Sequence, residues 1–183
     1  MHFPGLSEAI IADALVKKYD VEETIANKIA QQSNGNFNKA CDLVYQDSED
    51  IQFEKWFIAW VRSAFKAKGN KSAIRELIAW SEVIAKTGRE TQKQFLQFCI
   101  NYFRQALLLN YKADELVYLE PKSESFKLEK FAPFVHDANI IDITKELQDA
   151  IYHIERNGNS KIILTDLSIK LTRLLHKKSQ ANT

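Results

Sequence analysis

The stretch SNGNFNKA, residues 33–40, separates two runs of helical periodicity. Asn34 and Gly35 both tolerate the left-handed backbone that ends a helix, and Asn36 is a residue type that caps the next one. Ahead of the turn, Val21, Ile25 and Ile29 recur every four residues, with Ala26 and Ala30 beside them. Behind it come Phe37, Ala40, Cys41, Leu43 and Val44. Both patterns follow the helical period. Further upstream, Ser7 opens an earlier helix with Ile10, Ile11, Ala14 and Leu15 inside, and Asp20 with Glu23 forms an acidic capping box for the second. Residues 1–47 therefore predict a small three-helix domain.

Residues 46–50 are acidic and rich in capping side chains, which predicts a short linker. Beyond it, residues 48–183 predict a larger helical bundle. Phe53, Trp56, Phe57, Trp60, Val61, Ala64 and Phe65 form an aromatic stripe at helical spacing. Gly69 and Asn70 end that helix, and Ser72 caps a second whose inward face is Ile74, Leu77, Ile78, Ser81, Ile84 and Ala85. A long helix follows from about Arg89 to Tyr111; at 1.5 Å per residue it would be about 35 Å long. Residues 116–133 read as a loop with a short aromatic-anchored element. Asn139 caps a helix carrying Ile140, Ile143, Leu147, Ile151 and Ile154, and a leucine-rich helix closes the pattern after Asn159. No strand alternation survives, so the fold class is all-α.

Composition agrees. The 183 residues are 45% hydrophobic with only 5 Gly and 3 Pro, which suits long helices with few turns. Net charge is +1, so the chain as a whole offers no electrostatic case for nucleic acid or a membrane surface. Its distribution is uneven: residues 1–50 hold 4 basic and 9 acidic side chains (−5), and the remaining 21 basic and 15 acidic give +6. Cys41 and Cys99 lie singly in apolar stretches, which predicts reduced thiols. The start of the sequence lacks the pattern of a secretory leader, and no apolar run approaches the ~20 residues that span a bilayer. A cytoplasmic protein is expected.

The reactive residue types are scattered. His2, His136, His153 and His176 have neither the i, i+4 spacing nor the nearby cysteines of a metal site. No Gly-x-x-x-x-Gly-Lys loop cradles phosphate, and no Gly-x-Ser-x-Gly elbow presents a nucleophile. The sequence predicts no catalytic residue, metal ligand or cofactor.

Two motifs rise above generic helix. A helix, a turn containing Gly35, and a helix with Ala40 five residues on resemble the lid domain of AAA+ ATPases. In ATP-using lids the third residue after that glycine is an arginine that reads phosphate. Here Asn38 occupies the position, and an uncharged amide lacks the charge-assisted grip. The second motif is Arg156-Asn157-Gly158-Asn159-Ser160-Lys161 with its leucine-rich helix, which resembles the turn and last helix of the collar domain in bacterial DNA polymerase III clamp-loader subunits. The Trp56 to Phe65 stripe resembles the first collar helix. Together the resemblance covers residues 3–178.

It implies a non-catalytic piece of an AAA+ clamp-loader subunit: a lid followed by a collar that assembles with the gamma/tau and delta subunits, meeting DNA only through the complex. It marks Asn38 and Gly35 as a degenerate sensor turn and Ala40 as lid packing. Trp56, Trp60, Trp80, Arg156, Asn157, Asn159 and Lys161 are the expected collar interface residues. The family's nucleotide-binding α/β domain has no counterpart in this sequence, so a chain cut at that boundary is expected. The alternative readings are an ATP-hydrolysing family member, a stand-alone helical adaptor, and an enzyme fragment whose nucleotide site lies elsewhere.

Overall fold

A computed structural model describes residues 6–179. Eight α-helices account for most of them: α1 (Glu8–Tyr19), α2 (Glu23–Ser33), α3 (Phe37–Lys66), α4 (Lys71–Ala85), α5 (Arg89–Asn110), α6 (Leu128–Phe131), α7 (Asp137–Glu155) and α8 (Ser160–Leu175). Short 3-10 turns lie at Asp114–Leu116 and Ala132–Phe134, and no strand occurs among the described residues. The fold is all-α. No described helix is long and apolar enough to cross a membrane.

The chain divides into two compact units, Met1–Gln52 and Phe53–Thr183. The boundary falls inside α3, so residues 46–50 are helical rather than a linker. The physical reason is local. Those residues include no glycine or proline, and Ser48 spends its hydroxyl on the Tyr45 carbonyl at 2.8 Å instead of capping a new helix.

In the first unit, α1 packs on α2. Its core is Ile11, Ala12, Leu15, Ala26, Ile29, Ala30 and Ala40. The alanines lack bulk, which lets helices approach closely. Ile10, expected inside, is 56% exposed. Asp20 does not cap α2: it ends α1 in the left-handed region at φ 54°, and α2 starts after Glu22. Cys41 is half-buried, and its thiol donates to the Tyr19 hydroxyl at 3.3 Å.

The second unit holds one large core built on aromatic rings. Phe57 lies 4.6 Å from Tyr102 and 5.4 Å from Phe103 between ring centroids, so α3 is locked to α5. In turn α5 packs on α7, α7 on α8, and α8 on α4. Cys99 is fully buried in this core.

Helix entries differ from expectation in two places. Asn70, not Ser72, caps α4 by accepting the Ser72 and Ala73 N–H groups. Asn139 sits three residues into the α7 entry rather than at its cap. Fully buried, its amide donates to the Phe134 and Leu174 carbonyls at 2.9 and 3.1 Å and accepts the His136 N–H at 3.0 Å. A side chain that joins the start of one helix to the end of another has to be buried, and the local sequence cannot announce that.

Candidate functional site

In the first unit the expected turn forms as read. Asn34 and Gly35 take φ values of 50° and 79°, and the Leu6 N–H donates to the Gly35 carbonyl at 3.0 Å. Asn36 caps α3 by accepting the Lys39 N–H at 3.2 Å. Asn38 follows in the first turn of α3 with its side chain exposed, while Ala40 is fully buried. The turn thus aims a neutral amide outward and packs a methyl inward.

In the second unit the motif of residues 156–161 joins α7 to α8. Asn157 adopts φ 63°, and the Gly158 N–H closes the end of α7 on the His153 carbonyl at 2.9 Å. Asn159 caps α8 by accepting the Ile162 N–H at 3.2 Å. A Cβ on Gly158 would lie 2.8 Å from that carbonyl oxygen and 2.7 Å from Ile163 Cδ1, so no larger residue fits without a shift. Packing restricts this position to glycine.

The same turn faces the turn between α4 and α5 across an open polar cleft. Arg89 donates to the Asn157 side-chain carbonyl. Lys93 pairs with Glu155 at 3.2 Å and Lys161 with Glu82 at 2.6 Å. The hydrogen bond from Lys161, reinforced by its charge, holds the Glu82 carboxyl below the usual carboxylate range. Gln92, buried at the cleft wall, donates to the Ile84, Ala85 and Thr87 carbonyls at 3.3, 3.2 and 2.7 Å, tying off the end of α4. Arg156 turns aside, its guanidinium 4.5 Å from the Tyr152 ring centroid. Asn157, Asn159 and Lys161 therefore all have work inside the chain.

The three tryptophans separate. Trp60 is fully buried, stacked 4.8 Å from Trp80 at an interplanar angle of 3°, and donates its indole N–H to Ser168 at 2.8 Å. Trp80 donates to the Trp56 carbonyl at 3.0 Å. Both are core residues here, because each indole nitrogen finds an internal acceptor and each ring an internal partner. Only Trp56 keeps a partly open flank, packed against Phe53 and Phe95.

Two features escaped the sequence reading. Ile74 and Ile78, expected inside α4, are exposed, and so is Ile169 of α8. The basic run around the start of α4 is exposed as well. Helical periodicity marks an apolar face but not whether a neighbour covers all of it. Among the described residues, no group of three or more His, Cys, Asp and Glu side chains is placed to hold a metal ion.

No protein-family model, curated protein or solved structure matches this chain.

Proposed function

We propose that the chain supplies the lid and collar of a bacterial clamp-loader subunit of the delta-prime kind, a non-catalytic member of the ring that loads the sliding clamp onto DNA. The observation that carries the reading is the Gly35 turn: a left-handed corner between two helices, Asn38 exposed where an ATP-reading lid would place arginine, and Ala40 retained in the core. Such a turn keeps a lid's architecture without an ionic grip on phosphate. Further support comes from the order of the two units, a small helical one followed by a larger aromatic-rich bundle, and from the Arg156 to Lys161 turn ahead of a leucine-rich last helix. In this reading the collar binds gamma/tau and delta, and the chain needs no cofactor.

The test is reconstitution. The purified chain, mixed with the gamma/tau and delta subunits of its own source, should co-elute with them on size exclusion and show no ATP binding alone. A folded chain that elutes apart from both would sink the proposal and favour a helical adaptor of another assembly.

A further inference from the structure

We propose that the groove between α4 and α8 is a docking site for an acidic amphipathic helix of a partner protein. Ile74 and Ile78 from α4 and Ile169 from α8 line it, at 43%, 38% and 44% exposure. Its volume is about 250 Å³. That is below the ~300 Å³ at which small-molecule pockets begin, and it suits one or two inserted side chains. Helix-in-groove recognition uses such anchors at i, i+3, i+4 and i+7 spacing.

Charge identifies the occupant. Arg173 stands in the lining itself, and Ala67 and Ile74, also in the lining, sit in a segment that holds Lys66, Lys68, Lys71 and Arg75 against the single carboxylate of Glu76, which accepts the Ser63 hydroxyl at 3.0 Å. All five cations are exposed, and none pairs with a carboxylate among the described residues. The other flank of α8 differs: Lys170 is bonded to both Glu146 and Asp166 at 2.8 Å, and Lys177 to Asp142 at 3.0 Å. The chain neutralises its cations there and leaves Arg173 open in the groove lining, with Lys66, Lys68, Lys71 and Arg75 open in the segment that carries Ala67 and Ile74. A helix with leucines facing the groove and glutamates on its flanks complements both features. Nucleic acid does not, because no aromatic side chain lines the groove for bases to stack on.

The proposal is independent of the clamp-loader reading, since its assay contains no clamp-loader subunit. A fluorescent synthetic helix, with leucines at i, i+3, i+4 and i+7 flanked by glutamates, is titrated with the full chain and read by anisotropy. Binding is expected, weakening with salt. Ile169→Asp should weaken it by about tenfold or more, the scale of an interface hot spot. Arg75→Glu combined with Arg173→Glu should weaken it too and transfer preference to a lysine-flanked version of the helix. Each substitution lies at an exposed position, and circular dichroism would show each variant folded. Absence of binding, or equal binding by Ile169→Asp, overturns the proposal. So does capture of a single-stranded oligonucleotide in place of the peptide, or a dimer of this chain that Ile169→Asp abolishes.

Discussion

Tyr102 on α5 donates its hydroxyl to a carboxylate oxygen of Glu54 on α3, 2.8 Å away in the interior of the second unit. Glu54 is only 5% exposed, yet both its carboxyl oxygens are hydrogen-bonded. The oxygen that takes the Tyr102 hydroxyl also accepts the Lys122 N–H at 3.0 Å, and the other accepts the Ser123 N–H at 2.7 Å. One buried carboxylate thus ties the long segment between α5 and α6 to the bundle. Glu54→Ala would strand three donors and should destabilise the chain by about 3 kcal/mol or more. Glu54→Gln should cost about 1–3 kcal/mol, since an amide has one oxygen for donors that approach both sides. Urea melts would measure both. A Glu54→Gln variant as stable as wild type would contradict the bonding described.

Asn139 plays a similar part at the entry to α7. Its amide holds Phe134, His136 and Leu174 together, so Asn139→Ala should cost about 2–4 kcal/mol. Asn139→Asp should be no better, because a carboxylate cannot donate to the Phe134 and Leu174 carbonyls. Thermal melts of the two variants check this.

Two glycines should respond differently to alanine. At Gly158 the added methyl meets the Ile163 Cδ1 and, with no flexible way out, the His153 backbone carbonyl. At Gly69 nothing lies within 4 Å, and the only obstacle is the left-handed backbone at φ 80°. Gly69→Ala should therefore cost about 1 kcal/mol. Gly158→Ala should cost more, about 2–3 kcal/mol, the scale of overpacking. Comparable melting temperatures for the pair would refute the distinction.

Alkaline pH should weaken the fold through two buried groups. Burial pushes the Cys99 thiol well up, and burial together with the bond to Glu54 pushes the Tyr102 phenol up. In the unfolded chain these groups ionise near their ordinary values, about 8.5 and 10. Their contribution is thus complete below those values and is lost as pH climbs toward the folded ones. The melting temperature should fall progressively above about pH 8.5, and Tyr102→Phe should make that alkaline fall shallower. A flat profile up to pH 11, past both ordinary values, would contradict the argument.

The thiols give a faster check. Cys99 is fully buried, whereas Cys41 is half-buried. Under native conditions a thiol reagent should modify Cys41 and reach Cys99 only after denaturant is added.

The sequence by itself determined the all-α class and most of the helices, because their signals are local, but it split α3 at residues 46–50, where the helix runs on. Asn34 and Gly35 end α2 wherever that helix is packed, and the periodic apolar residues of α5 and α8 need only their own spacing to be legible. The Gly35 turn, with Asn38 outside and Ala40 inside, was equally readable. What the tertiary structure decided is which apolar and polar groups find partners. Trp60 and Trp80 became core because their rings stack on each other and their indole N–H groups find acceptors 108 and 24 residues away, in Ser168 and Trp56. Ile74 and Ile78 became surface because α8 covers only part of α4's apolar face. Glu54 and Asn139 became structural anchors because distant backbone groups converge on them. Helix periodicity is set by neighbours three and four residues away; partner choice is set by residues the local pattern never meets.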